Sequence, residues 1–160
     1  MYKKILIGVD NSEDAARVIK RAIEVQKGDK SEVVVFHSIF HHLTDYIADV
    51  ATSIGIVELP FTYNENGSIS MQIRKETVNN AKILLKNIEK QFKEANMSVE
   101  TRLIFDISPE HYIKEHVQKE GFDLVILGCK GDHSKLRRTV LGTVPEYVIN
   151  NVKSDVLIIK

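Results

Sequence analysis

Glycines and basic side chains are concentrated in one stretch of the sequence, between Gly128 and Thr143. Gly128 and Gly131 let the backbone turn sharply and bring its N–H groups close to an anion. The basic side chains of this stretch are Lys130, Lys135, Arg137 and Arg138. The pattern favours a phosphate-binding loop, with an ordinary surface connection between a strand and a helix as the alternative interpretation.

A helix is predicted to begin at the far end of this loop. Thr143 and Glu146 have the Ser/Thr-x-x-Glu spacing of a capping box, and Pro145 lies in the first turn, where its missing N–H does no harm. The unpaired N–H groups and the positive dipole end of such a helix attract phosphate. We therefore expect a helix from about Thr143 whose amino end faces the glycines.

A carboxylate follows the first apolar run of the chain, which extends from Lys4 to Val9 and ends at Asp10. A carboxylate in that place accepts hydrogen bonds from ribose hydroxyls or holds a metal ion. Open parallel sheets bind ligands beyond the carboxyl ends of their strands, where the strand order reverses. Asp10 together with the Gly128 loop therefore predicts a nucleotide pocket.

Strands and helices alternate along the chain, which predicts an α/β, Rossmann-like fold. Right-handed crossovers then give a single-domain, five-stranded parallel sheet with helices on both faces. We infer the strand order 3-2-1-4-5, in which the first and fourth strands flank the reversal point. Strands are predicted at residues 4–10, 32–37, 99–105, 124–128 and 155–159, and helices from about 12 to 28, 71–95, 108–121 and 143–151. Residues 38–70 show no clear pattern.

Composition excludes several functional classes. The 160 residues suit one domain, and the 22 basic and 22 acidic residues cancel, which argues against nucleic acid or an anionic membrane as the main partner. The single cysteine, Cys129, excludes an internal disulfide bond. Nothing resembles a signal peptide or a membrane-spanning segment, so a cytoplasmic protein is expected.

The sequence gives little support to alternative enzymatic functions. Neither Gly-x4-Gly-Lys-Ser/Thr nor Gly-x-Gly-x-x-Gly is present where it would be needed, which argues against a fast ATPase or a dinucleotide enzyme. Asp132 and His133 are better interpreted as solvated loop residues than as catalytic ones. A phosphoacceptor site using Asp10, Asp106 and Lys130 would need an acidic pair after the first strand, and Asn11 replaces one member.

Three histidines near two acids raise the possibility of a metal site. They are His37, His41 and His42, with Asp45 and Asp49. His37 is predicted to end a strand and no four-ligand spacing follows, so we predict no metal site. We likewise interpret Cys129 as an incidental small residue rather than a reactive thiol, since it has no second cysteine to pair with.

Three pieces of the sequence closely resemble the universal stress protein family, and the resemblance covers essentially the whole chain. They are Gly8-Val9-Asp10-Asn11-Ser12-Glu13, the Gly128-x2-Gly131 loop with the later Gly142-Thr143, and the terminal apolar strand. The resemblance implies the same five-stranded fold. It also implies a homodimer formed through the last strand, here Val156 to Ile159.

The ATP-binding branch of that family carries Gly-x2-Gly-x9-Gly-Ser/Thr, whereas ten residues separate Gly131 from Gly142 in this chain. Ile107 replaces a glycine common in the family before the third helix. The extra loop residue and the bulky Ile107 are expected to narrow or reshape the pocket. By resemblance, Asp10 holds the ribose and the backbone of Ser38 reads adenine. The residues implied to line the ribose and phosphates are Gly128, Lys130, Gly131, Gly142 and Thr143.

The function predicted from the sequence is an ATP-binding universal stress protein that acts as a sensor or regulator without substantial turnover. ATP is the expected ligand, with AMP and ADP as further candidates and Mg²⁺ or Mn²⁺ as the accompanying ion. No catalytic residue is assigned. The alternatives are a dimeric family member without nucleotide that works as a protein-interaction module and, less favoured, a slow ATP hydrolase. A regulatory protein partner of unknown identity is expected in either case.

Overall fold

The computed structural model describes residues 2–12, 14–26, 30–40, 68–129 and 141–160, with the backbone alone at 68–74. Five strands and four helices alternate within these ranges. The strands are β1 (Lys4–Gly8), β2 (Glu32–Ile39), β3 (Glu100–Phe105), β4 (Leu124–Gly128) and β5 (Asp155–Ile159). The helices are α1 (Asp14–Gln26), α2 (Ser68–Glu94), α3 (Pro109–Glu120) and α4 (Thr143–Asn151).

The strands form one parallel sheet in the order β3-β2-β1-β4-β5. This confirms the predicted α/β, Rossmann-like architecture and the position of the reversal point. The central strand β1 pairs with β2 on one side, where Gly8 lies opposite Phe36, and with β4 on the other, where Ile7 lies opposite Ile126. The carboxyl ends of these three strands therefore meet at one edge of the sheet.

Helices cover both faces of the sheet because successive side chains of a strand point to opposite sides. Val33 and Val35 of β2 pack in a core cluster with α1 and α2, whereas Val34 and Phe36 pack in a second cluster with α3 and α4. The middle three residues of β1 and the first four of β4 are buried. Their uninterrupted Val/Ile/Leu runs reflect this burial on both faces.

Some element boundaries differ from the predicted ones, and strand pairing explains the change at the end of β2. β2 continues past His37 to Ile39 because Ser38 and Ile39 pair with Ile104 and Phe105 of β3. Such long-range pairing leaves no local signal in the sequence. The helix predicted to start at residue 71 begins at Ser68.

The helix ends are partly as predicted. Gly121 ends α3 in the left-handed conformation, with φ 73°, and its N–H donates to the carbonyl of Val117 at 3.1 Å. The predicted Thr143 capping box is wrong. Gly142 is the N-cap residue, no side chain caps α4, and the N–H of Glu146 donates to the carbonyl of Gly142 at 3.1 Å. Thr143 is already helical and is therefore one residue too late to serve as the cap.

Ser108 precedes α3 as predicted, but its hydroxyl does not cap the helix backbone. The hydroxyl oxygen instead lies 2.7 Å from Nδ1 of His111. Pro109 occupies the first helical position, where no N–H is needed. The backbone preference of Pro109 therefore favours the start of this helix, and the side-chain cap that the sequence suggested for Ser108 is not formed.

A network of ion pairs ties β3 and β1 to the end of α3. Two guanidinium nitrogens of Arg102 donate to the two carboxylate oxygens of Glu120 at 2.7 and 3.0 Å, and Arg102 also donates to the hydroxyl of Tyr112 at 3.1 Å. Lys4 lies 3.6 Å from Glu120. Hydrogen bonds from Arg102 hold the pKa of the Glu120 carboxyl below its ordinary value.

Replacing Glu120 with glutamine is expected to destabilise the fold by about 1–2 kcal/mol at neutral pH, because a paired, half-buried charge is lost. Since the folded-state pKa of Glu120 is lowered, its contribution is complete above the ordinary value of 4.5 and is lost as the pH falls through the folded-state value. Denaturant unfolding of both proteins at a series of pH values measures this change in the free energy of unfolding.

The matched control for that experiment is Glu94→Gln, because Glu94 forms an exposed pair with Lys90 at 3.8 Å. It is expected to change the free energy of unfolding very little. A difference between the unmodified protein and Glu120→Gln that stays constant from neutral to strongly acidic pH would contradict this role of the Arg102 pair.

Candidate functional site

Five of the residues proposed from the sequence lie at the carboxyl edge of the sheet or at the start of α4. Asp10 follows the end of β1, Ser38 lies near the end of β2 and Gly128 ends β4. Gly142 and Thr143 begin α4. The pairing of β1 with both β2 and β4 places these strand ends side by side. Lys130 and Gly131 lie outside the described residues.

The start of α4 is held beside the end of β4 by backbone hydrogen bonds. The N–H of Gly142 donates to the carbonyl of Cys129 at 2.9 Å, and the N–H of Cys129 donates to the carbonyl of Ile159 at 2.7 Å. The first N–H groups of a helix have no acceptor within the helix and carry a positive partial charge. The amino end of α4, which has the N–H groups and positive partial charge that can attract an anion, therefore lies next to the end of β4.

The Asp10 carboxylate shapes the turn between β1 and α1. Its Oδ1 accepts a hydrogen bond from the backbone N–H of Ser12 at 3.0 Å and another from the Ser12 hydroxyl. The carboxylate is partly buried, so the turn fixes its direction. A carboxylate offers about four lone-pair positions, and holding this turn is compatible with accepting sugar hydroxyls as well.

Gly8 is needed for packing just before that turn. A Cβ atom at this position would lie 2.7 Å from Cδ2 of Leu127 and 3.2 Å from the ring of Phe36. Both neighbours belong to the core cluster under α3 and α4. The glycine therefore lets the side chains of Phe36 and Leu127 pack against the end of β1, just before Asp10.

Two side chains at the end of β2 make contacts that the sequence did not reveal. His37 is buried, and its Nδ1 lies 2.9 Å from the carbonyl oxygen of Val9. The hydroxyl of Ser38 donates to the carbonyl of Ile107. The Ile107 side chain itself is 39% exposed. No local sequence pattern predicts these contacts, because both acceptors are main-chain atoms of residues that are distant in the sequence.

Metal-binding residues do not cluster in the described part of the chain. No group of three or more His, Cys, Asp or Glu side chains suited to an ion occurs there. His41, His42, Asp45 and Asp49 lie outside the described residues, as do Asp132 and His133. Across the same described ranges, no helix has both the length and the apolar character required to cross a membrane.

Comparison with known sequences gives a match along the whole chain. The sequence model of the universal stress protein family matches residues 1–160. Universal stress protein MJ0531 of Methanocaldococcus jannaschii is 28% identical over 160 residues, which are 100% of this chain and 83% of that protein. Universal stress protein Sll1388 of Synechocystis is 30% identical over 166 aligned residues, covering 99% of this chain and 98% of that protein.

Solved structures share the fold. Protein MJ0577 of Methanocaldococcus jannaschii superposes with a TM-score of 0.74 at 25% identity, covering 100% of this chain and 96% of that one. Two more distant structures contain a nucleotide. An Archaeoglobus fulgidus universal stress protein in complex with dAMP has a TM-score of 0.59 at 18% identity, covering 99% and 98% of the two chains. An Arabidopsis thaliana family member with AMP bound has a TM-score of 0.57 at 13% identity, covering 99% and 91%.

Proposed function

This chain belongs to the universal stress protein family, and from that premise we propose that it binds an adenine nucleotide, principally ATP, and acts as a nucleotide-dependent regulator in a stress response. The observation that carries the proposal is the meeting of Asp10, Gly128 and the amino end of α4 at the reversal point of the sheet. In this proposal Asp10 accepts hydrogen bonds from the sugar and the helix end attracts the phosphates. Relatives of the same fold that contain AMP and dAMP support it.

Each part of the nucleotide has a candidate partner in this proposal. Asp10 accepts hydrogen bonds from the ribose, and the backbone of Ser38 lies against the adenine. Backbone N–H groups near Gly128 and at the start of α4 bind the phosphates, together with Gly131, Gly142 and Thr143 and with Lys130. Mg²⁺ or Mn²⁺ would reach the site with the phosphates of ATP rather than through a dedicated set of protein ligands.

The regulatory role follows from binding without turnover. None of the residues in this proposal acts as a nucleophile or a general base, so ATP would remain intact and mark a bound state of the protein. A protein partner in the cytoplasm would distinguish the bound from the free state. This partner and the cytoplasmic location are parts of the proposal.

Isothermal calorimetry with ATP, ADP, AMP and GTP, each with Mg²⁺ or Mn²⁺, tests the proposal. We expect heat and a rise in unfolding temperature with the adenine nucleotides, and no release of phosphate from ATP. Neither heat nor a thermal shift at millimolar ATP would contradict nucleotide binding and leave a protein-interaction module. Phosphate release that disappears in Asp10→Ala would instead identify a slow hydrolase.

We also propose that the chain forms a homodimer through β5, which lies at one of the two edges of the sheet. The N–H of Asp155 donates to the carbonyl of Asp123 at 3.2 Å, and the carbonyl of Ile159 accepts from Cys129. These residues therefore face β4, and the alternation along the strand turns the backbone groups of Val156 and Ile158 to the outer edge. An unpaired edge offers hydrogen bonds to a second copy of the chain.

Ile158→Pro is expected to convert this dimer into a monomer, because proline removes an outward N–H while the bonds from β5 to β4 remain. Sedimentation velocity measures the change. Ile158→Ala is the control, since it loses a similar side chain but keeps the N–H, and it is expected to remain dimeric. A dimer that survives the proline substitution would exclude this edge as the interface.

A further inference from the structure

Near the end of β2, the side chains of His37 and Ser38 each contact the backbone carbonyl of a residue in a neighbouring segment. The two side chains lie on opposite faces of the sheet. His37 lies on the face covered by α1 and α2, and Ser38 on the face covered by α3 and α4, because strand side chains alternate. His37 Nδ1 contacts the carbonyl of Val9 at 2.9 Å. The Ser38 hydroxyl donates to the carbonyl of Ile107. The end of β2 is thus tied to the chain after β1 and to the chain after β3.

The contact of the His37 side chain takes the place of one backbone hydrogen bond between the chain after β1 and β2. The N–H of Val9 donates to the carbonyl of Phe36 at 3.1 Å, which extends the pairing of β1 with β2 beyond Gly8. In a regular parallel ladder, the next bond would run from the N–H of Ser38 to the carbonyl of Val9. Among the described residues no backbone N–H donates to that carbonyl, and the imidazole of His37 occupies it instead.

This exchange has two consequences for the site. The N–H of Ser38 points toward the β1 side of the strand and donates to no backbone carbonyl within the described part of the chain, so it remains a donor at the carboxyl edge of the sheet. The peptide group that joins Val9 to Asp10 is held by a buried side chain, which is only 6% exposed, rather than by the strand backbone. Both groups belong to the site proposed for the nucleotide.

From this geometry we infer that His37 is a positioning residue for nucleotide binding, which presents the N–H of Ser38 to the base and fixes the peptide that carries Asp10. The inference rests on the proposed function. A carbonyl only accepts hydrogen bonds, so Nδ1 of the ring carries the proton. The ring acts through Val9 and Ser38 and does not itself touch the ligand.

Base selectivity follows from a fixed donor at Ser38. The N1 atom of adenine accepts a hydrogen bond, whereas N1 of guanine carries a proton and would leave the Ser38 donor unpaired. A site that offers a defined hydrogen bond rejects analogues that do not complete it. His37 therefore supports the preference for adenine over guanine without contacting either base.

His37→Phe tests this role, because it keeps an aromatic ring of similar size and lacks the donor. We expect the Kd for ATP to rise about tenfold, as for the loss of one well-placed hydrogen bond, and the preference for ATP over GTP to fall. The Kd for inorganic tripolyphosphate should stay unchanged, since it needs neither Ser38 nor Asp10. His37→Asn places an amide N–H close to the position of Nδ1 and should restore most of the ATP affinity.

The outcomes separate this inference from the function on which it rests. Equal ATP affinity in the unmodified protein and in His37→Phe would overturn the role of His37 and leave ATP binding intact. Equal losses of ATP and tripolyphosphate affinity would also overturn it, because they indicate a general structural effect. No ATP binding by the unmodified protein would overturn the proposed function as well. If His37→Phe does not fold, the ¹⁵N chemical shifts of the His37 imidazole in the unmodified protein show which ring nitrogen carries the proton. A proton on Nε2 alone would refute the inference.

Discussion

Replacing Asp10 with asparagine is expected to weaken ATP binding by about tenfold to a hundredfold, the effect of losing hydrogen bonds to a charged acceptor. Asparagine keeps an oxygen that can accept from the N–H of Ser12, the bond that Oδ1 of Asp10 accepts at 3.0 Å. The turn after β1 is therefore preserved. The second oxygen becomes an amide nitrogen, which cannot accept from a ribose hydroxyl. Calorimetry with ATP measures the loss.

The control for Asp10→Asn is Asp155→Asn, which removes the same charge at the first residue of β5, at the opposite end of the sheet. Asp155 accepts a hydrogen bond from the hydroxyl of Tyr2 at 2.9 Å, and the control should leave ATP affinity unchanged. Tripolyphosphate affinity should be unaffected in both variants. ATP binding of full strength in a folded Asp10→Asn protein would show that the sugar does not depend on this carboxylate.

Phe36→Ala is expected to destabilise the fold by about 3–5 kcal/mol, a large part of the total stability of about 5–15 kcal/mol of an ordinary domain. Phe36 is 1% exposed, its ring centroid lies 4.6 Å from that of Tyr112, and it packs under Gly8. Its removal leaves a cavity between β2 and α3 that rigid neighbours do not fill. Chemical denaturation at a fixed protein concentration measures the change.

Phe105→Ala removes the same atoms from the end of the neighbouring strand β3, where the phenylalanine is 44% exposed. It is expected to reduce stability by less than about 1 kcal/mol, because little buried area is lost. If the two substitutions destabilised the protein equally, the packing of Phe36 between the sheet and α3 would not be the source of its effect.

Much of the fold could be predicted because its signals are local. The uninterrupted apolar run of β4 indicates a strand buried on both faces, and Gly121 marks the end of α3. The bounds of β2 required knowledge of its partner, since Ser38 and Ile39 extend the strand only by pairing with β3. The Thr143 capping box failed because Gly142 takes the cap position while its N–H bonds to Cys129.

The positions of the candidate site residues at the strand ends could be predicted, but their contacts could not. The positions of Asp10 and Gly128 follow from strand order and the rule that ligands bind at the reversal point. The bond from His37 to Val9 could not be foreseen, because a histidine among apolar residues carries no sign of the carbonyl it will meet. In the sequence, His37 stood out as one of three histidines near two acids. The structure gives it a backbone acceptor instead.

The hydrogen bond from Gly142 to Cys129 has a consequence for variation among relatives. It joins the two ends of the intervening stretch directly, so this backbone contact holds the start of α4 beside the end of β4. Closing a longer loop costs only a slowly growing entropy. We therefore expect changes in the length of this stretch to be tolerated without displacing β4 or α4.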